Sequence, residues 1–289
     1  MLACNLRGII KSKLQRVEFL LAFSVCILCC WTSAIAGIIK IETDISATVR
    51  GNVLKVKVRV TNKGSETAYN AKVHLSSLGG EQGSSVIHHL DKDQGRKLNF
   101  EKLIAEGKDG SYPLTVIVTF HDANQYPFSA VSCSTFSFKK NVEPDLVCFG
   151  NDISIGNKGV LRFNLKNLSF ESRPILATVI VPRELSVARP KMNFEIPPRS
   201  EKAVEFEIVN FAALEGASHA VFCYFEYDAD TTHYTAVAGA RVTITGEENF
   251  FGRKKCVWIA LILVLTIILF ITLVRDSRSK KSKAKRGPQ

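Results

Sequence analysis

The densest cluster of side chains able to do chemistry is His88-His89-Leu90-Asp91-Lys92-Asp93. Imidazoles and carboxylates are donor types that hold a divalent cation. In an extended chain, however, adjacent side chains project to opposite sides, so His88 and His89 cannot face one ion together. Lys92 adds a repelling charge, and the cluster reads as a solvated loop. A second set of oxygen donors, Asp228-Ala229-Asp230, could contact Ca²⁺. It lacks the twelve-residue loop and closing Glu of an EF-hand, so it reads as a hairpin turn. Asp122-Ala123-Asn124 matches it earlier in the chain.

Cys133, Cys148 and Cys223 lie between the two apolar runs of the chain. An odd number leaves at least one thiol unpaired unless chains cross-link. A Cys133–Cys148 bridge is open; independent buried thiols are the alternative that the interior preference of cysteine favours. Outside the N-terminal run there is no CxxC and the histidines are scattered, which disfavours zinc. No GxSxG, HExxH or P-loop is present, and no spacing singles out a Ser–His–Asp triad. The sequence therefore assigns no catalytic, cofactor-binding or metal-ligating residue and reads as a chain that is not an enzyme. Asn167-Leu168-Ser169 is an N-glycosylation sequon.

Around these residues the elements are β. Val56, Val58 and Val60 alternate with Lys55, Lys57 and Arg59, the period-two pattern of a half-buried strand. Asn62-Lys63-Gly64-Ser65 supplies turn chemistry, with Gly64 suited to positive φ. A second strand follows with Tyr69, Ala71, Val73 and Leu75 on one face, so Leu54 to Leu75 reads as a hairpin. The pattern recurs at an offset of 105, where Val56, Val58, Val60 and Asn62 fall on Leu161, Phe163, Leu165 and Asn167. At 106, Leu98 and Phe100 fall on Val204 and Phe206, Gly110 on Gly216, and Ser129-Ala130-Val131 on Thr235-Ala236-Val237. Colinear matches at one spacing predict two copies of an all-β domain of roughly 100 residues, the size of an immunoglobulin-like sandwich.

The expected boundaries are a first sandwich over 37–138, a linker over 139–145 and a second sandwich over 146–245. Ser76 to Gln94 reads mainly as loop. Val160 to Asn167 is expected to pair with Ile175 to Val181. Tyr234 to Ile244 closes a hairpin with Val221 to Tyr227.

The formal charge of +11 is not spread over these domains. Residues 37–252 carry 24 Lys and Arg against 25 Asp and Glu. The excess flanks apolar segments, which points to membrane topology and away from nucleic acid. Arg7, Lys11, Lys13 and Arg16 precede an apolar run from Phe19 to Trp31, followed by Ala34-Ile35-Ala36. Residues 1–36 thus read as a secretory signal, cleaved before Gly37 or kept as an anchor. After a stalk over 246–255, residues 256–274 are 19 uncharged, mostly apolar residues, the length of a transmembrane helix. Arg275, Arg278, Lys280, Lys281, Lys283, Lys285 and Arg286 follow. This basic tail, 275–289, is expected in the cytoplasm, against anionic lipid headgroups.

Val56 to Leu75, then Leu90 to Phe100, then Asp109 to Gln125 resemble the CARDB-like immunoglobulin-fold modules of bacterial and archaeal surface proteins. Related sandwiches occur in S-layer-associated membrane proteins of archaea. The resemblance covers residues 40–138 well and 145–245 less well, because Leu165 to Pro174 lacks the Asn-x-Gly turn. It implies adhesion, scaffolding or accessory roles, usually without catalysis. The expected protein is a single-pass plasma-membrane protein with its β domains extracytoplasmic. It would serve as a binding or scaffold module for an extracytoplasmic protein or surface polymer, without nucleic acid and without a cofactor. The alternative is an accessory subunit of a larger membrane complex, such as a transporter or secretion machine.

Overall fold

A computed structural model describes residues 38–246, 264–268 and 271–272. The first half of the described chain forms eight strands: β1 (Ile41–Arg50), β2 (Val53–Asn62), β3 (Ala68–Ser77), β4 (Gly80–Gly83), β5 (Ile87–Leu90), β6 (Gly95–Leu103), β7 (Asp109–His121) and β8 (Pro127–Phe138). The second half forms nine: β9 (Leu146–Gly150), β10 (Ile153–Ile155), β11 (Lys158–Asn167), β12 (Arg173–Ile180), β13 (Leu185–Val187), β14 (Lys191–Ile196), β15 (Glu201–Asn210), β16 (Ser218–Ala229) and β17 (Thr232–Ile244).

Each half is a β-sandwich with its own core. In the first, the sheet β1-β2-β6 covers a sheet of β3, β4, β5, β7 and β8. Leu54, Val56, Val58 and Val60 of β2 share one buried cluster with Val73, Leu75, Leu114, Val116 and Val118. In the second, β13-β15-β11-β9 covers β14, β12, β16, β17 and β10. Leu161, Phe163, Leu165, Val204 and Phe206 meet Ile175, Ala177, Val221 and Phe225 there. Period-two apolar residues on both inner faces drive this layering, since each strand must bury one side. The strand order is immunoglobulin-like in both halves.

The 105–106 repeat is a repeat of structure. Val56 lies opposite Phe100 and Val58 opposite Leu98, as Leu161 lies opposite Phe206 and Phe163 opposite Val204. Asn62 and Asn167 are both fully buried. The Asn62 amide donates to Glu66 O at 2.6 Å and Leu90 O at 2.9 Å, and its oxygen accepts Gly64 N at 2.9 Å. The Asn167 amide donates to Glu171 O at 2.8 Å, Pro197 O at 3.1 Å and Ile196 O at 3.2 Å, and its oxygen accepts Ser169 N at 2.9 Å. Each Asn thus pins the crossover between the sheets to the strand that precedes the next one. Asn62→Ala strands two or more buried groups, and should destabilise the first sandwich by about 3 kcal/mol in urea unfolding. Asn167 has its amide fully engaged, so the folded chain should carry no glycan there. Intact-mass analysis before and after glycosidase treatment checks this.

Several sequence expectations are corrected. β2 and β3 do not form a hairpin; they lie in opposite sheets, and β2 pairs with β1 and β6. β11 and β12 are separated in the same way. Two apolar-faced strands joined by a turn can also arch over a core, and burial of both inner faces selects the arch. Gly64 does not take positive φ. It is needed for close approach, because a Cβ would overlap the carbonyl of Ile38. Tyr69 is not aligned with Ala71, Val73 and Leu75. A register shift between Tyr69 and Lys72, with Asn70 at φ 50°, puts Ala68 inward instead. Ser76 to Gln94 contains β4 and β5, which extend the sheet along β3. Asp228 and Ala229 belong to β16, and the turn lies at Asp230-Thr231.

The expected signal segment 1–36, most of the expected stalk 246–255 and the basic tail 275–289 lie outside the described residues. Within the apolar run 256–274, residues 264–268 and 271–272 are helical. Among the described residues, no helix is long and apolar enough to cross a membrane.

Candidate functional site

The two sandwiches do not hang as separate beads. β17 adds in parallel to the start of β7, with Thr232 opposite Asp109 and His233 opposite Gly110. One ten-stranded sheet therefore runs through both. Below this junction β8 lies against β16 and β17, so the halves pack side by side along a seam.

At the upper end, Lys108 Nζ is 2.8 Å from Asp228 Oδ2 and His233 Nδ1 is 2.7 Å from Asp228 Oδ1. The Tyr112 ring stacks on His233 with centroids 4.4 Å apart. Thr235 Oγ1 donates to Ser111 O at 2.7 Å. In the middle, the buried Tyr224 hydroxyl donates to Leu114 O at 2.8 Å and lies 2.9 Å from Thr115 Oγ1. At the lower end, Ser129 donates its backbone N–H and its hydroxyl to the carboxylate of Glu184, which is 1% exposed. Arg183 N donates back to Ser129 Oγ at 2.9 Å. Tyr126 OH donates to Ala212 O at 3.1 Å. Ser129 and Thr235 occupy matching places in the two repeats, and both cross the seam.

Beside the seam lies a cleft of about 360 Å³ lined by Thr43, Asp44, Ile45, Ser132, Cys133, Ser134 and Phe222. Its two long walls are strand edges. The bond from Lys63 N to Lys40 O sets the phase of β1 against β2. Alternation then turns the peptide groups of Thr43 and Ile45 away from β2. Ser129 N, which points to Glu184, sets the phase of β8, so Val131, Cys133 and Thr135 turn away from β7. Phe222 of the second sandwich walls the cleft, so both halves build it.

The electrostatics of the seam are set by two histidines that oppose one another. Burial pushes the His233 pKa down, but hydrogen bonds and charge from Glu226 and Asp228 outweigh it and hold it above the ordinary value. Burial likewise opposes ionisation of Asp228, yet hydrogen bonds from Lys108 and His233 hold it below the carboxylate range. His219 is lowered by burial, against the pull of the Glu184 charge. A raised histidine stabilises fully below its unfolded pKa of about 6.5 and loses that contribution as pH rises through its folded value. A lowered histidine does the reverse, and costs stability as pH falls below about 6.5. The unsubstituted chain should therefore show a shallow stability profile between about pH 5 and 8. His233→Gln should destabilise more at the acid end, and His219→Gln should flatten the acid loss. Thermal unfolding of both variants across that range checks the two signs.

The residues singled out from sequence do not converge. His88 and His89 lie on β5, where the His89 ring meets Tyr69 edge-on at 5.3 Å. Asp91 accepts Thr67 Oγ1 at 2.8 Å and Asp93 pairs with Lys63 at 3.1 Å. Among the described residues no cluster of three His, Cys, Asp or Glu could hold a metal ion. Cys133, Cys148 and Cys223 are all free thiols. Burial pushes Cys133 and Cys148 up to about 11 and Cys223 higher still, so these thiols stay protonated and weakly nucleophilic at neutral pH. Sequence reasoning missed Glu184, Tyr224 and His233. The available signal was the Ser129–Thr235 match, which marks a polar position buried twice.

No family model matches the chain, and no curated protein matches it. Among solved structures it is similar to trypsin-activated alpha-2-macroglobulin from Escherichia coli. The identity is 11% and the TM-score 0.29, over 71% of this chain and 18% of that one. It is also similar to red sea bream transglutaminase, at 10% identity and TM-score 0.26, over 70% of this chain and 31% of that one. The chain spans less than a third of either protein, and likenesses this weak assign it to neither.

Proposed function

We propose that the protein is a membrane-anchored, extracytoplasmic binding or scaffold module of the cell envelope, working without catalysis. The observation that carries this reading is the cleft at Thr43–Ile45 and Ser132–Ser134, with open strand edges on a block stiffened by the seam. An extended segment of a partner protein would hydrogen-bond to such edges, with its alternate side chains reaching Phe222 on one side and solvent on the other. The apolar run 256–274 would hold the block at the membrane, and the basic tail would lie on anionic headgroups within.

The side-by-side packing also favours a second reading. The Asp122–Tyr126 turn of the first sandwich meets Ala212 of the second, near where the chain leaves β17. Both halves would then lie within reach of a membrane-embedded partner, as an accessory subunit requires.

Thr43→Pro removes an outward-facing donor from an edge strand, where proline is tolerated. Crosslinking and pulldown of the full chain from membranes should recover a partner at least about tenfold less well with this variant, at unchanged thermal stability. A stoichiometric integral-membrane partner would favour the accessory reading; a surface protein or polymer would favour the first. Equal recovery would remove the cleft as the site. Protease added to intact cells should digest the β domains and spare the tail, and protection of the domains would sink the anchored reading. Turnover of a substrate by the purified chain, abolished by one polar substitution, would sink both.

A further inference from the structure

We infer that the loop between β15 and β16 is a membrane-contacting surface, with Phe211 and Leu214 inserted into the headgroup region of the bilayer that holds the chain. The inference rests on the anchored reading above. Phe211 is 78% exposed and Leu214 52% exposed, two large apolar side chains turned to solvent within four residues. Their place in the fold gives them an occupant. Gly216 N donates to Ile244 O at 2.8 Å, and Ile244 N donates to Ala217 O at 2.8 Å, so the loop is bonded to the last residue of β17. Gly246 sits directly against the Glu215 carboxylate. Only residues 247–255 then separate Gly246 from the apolar run. Fully extended, those residues reach about 30 Å, so the loop is kept at high effective concentration next to the bilayer.

The loop is also held in shape. Phe211 N and Ala212 N donate to the backbone oxygen of Glu184 at 2.9 and 3.0 Å, and Asn210 Oδ1 accepts Ala213 N at 2.8 Å. Tyr126, partly exposed, bonds to Ala212 O and widens the same end. The neighbouring charges are mixed: Asp122 and Glu215 are acidic, and Arg183, beside the Glu184 carbonyl that holds the loop, is basic. Attraction to the membrane is therefore apolar, and the fitting surface is a zwitterionic outer leaflet, not an anionic one. Phe170, 81% exposed, lies at the opposite end of the same sandwich, beside Asn167 and Arg199, and is the internal control.

The test uses the full chain with Trp31→Phe and Trp258→Phe, carrying either F211W or F170W, in phosphatidylcholine vesicles with acyl chains brominated near the headgroup. The F211W indole should emit blue-shifted light and lose about half its intensity relative to unbrominated vesicles, because an amphipathic ring settles at the interface. The F170W indole should be unaffected. If the chain floats with the vesicles and F211W is as red-shifted and unquenched as F170W, the docking surface is overturned and the anchor stands. If the chain does not float with the vesicles, the anchored reading falls and the docking surface falls with it.

Discussion

Replacing Glu184 with alanine is expected to open the lower seam and to destabilise the protein by about 3 kcal/mol, because two buried donors lose a charged acceptor at once. Ser129 is itself buried, and its N–H and hydroxyl both end on this carboxylate. Glu184→Gln keeps the shape, an acceptor for Ser129 N and a donor for Ser129 Oγ, so it should lose only about 1 kcal/mol. Chemical denaturation followed by tyrosine fluorescence gives the order. Losses of about 1 kcal/mol or less for both variants would mean that the carboxylate does not organise the seam.

The second large effect is expected at Gly110. Its φ of +147° is a conformation that L side chains rarely adopt. A Cβ there would also overlap the carbonyl of His233. Gly110→Val must therefore break the two-residue parallel junction between β7 and β17 and part Tyr112 from His233. Strain and the lost contacts together should amount to at least about 3 kcal/mol. Gly110 is buried at the very start of β7, opposite Phe138 at the end of β8, so the strain falls at one end of the first sandwich and both sandwiches should remain folded. Calorimetry should then show two separate transitions where the unsubstituted chain shows one. A single transition at the original temperature would mean that the ten-stranded sheet contributes nothing to cohesion.

The parts of the fold that were legible in sequence are those set by local alternation and by the internal repeat. Val56, Val58 and Val60, with Leu161, Phe163 and Leu165, announce inner faces because burial imposes period two on them. Which sheet a strand joins is not local information. Leu54 to Leu75 satisfies a hairpin and an arch equally well, and only the presence of β6 beside β2 separates them. The Asn62–Asn167 match was visible, but its role depends on carbonyls some thirty residues away. The seam was least legible. Tyr224 reaches Leu114 across 110 positions and Glu184 reaches Ser129 across 55, and neither side chain carries a local pattern. The cleft follows from the seam, since Phe222 is a wall only after the halves have packed. His88, His89 and the aspartates misled in the other direction, because closeness in sequence placed ligand types on an exposed strand and its turn.

The most direct test of the account is whether the two halves form one block in the full chain. Carbodiimide joins an amine to a carboxylate only when the two already touch, so it reads contact without a spacer. Lys55–Glu101 at 2.9 Å and Lys166–Glu201 at 2.8 Å lie within single sandwiches, whereas Lys108–Asp228 at 2.8 Å spans the seam at similar exposure. Mass spectrometry of the treated chain should find all three isopeptide links, with Lys108–Asp228 lost in Gly110→Val. Formation of the two internal links without Lys108–Asp228 in the unsubstituted chain would contradict the account.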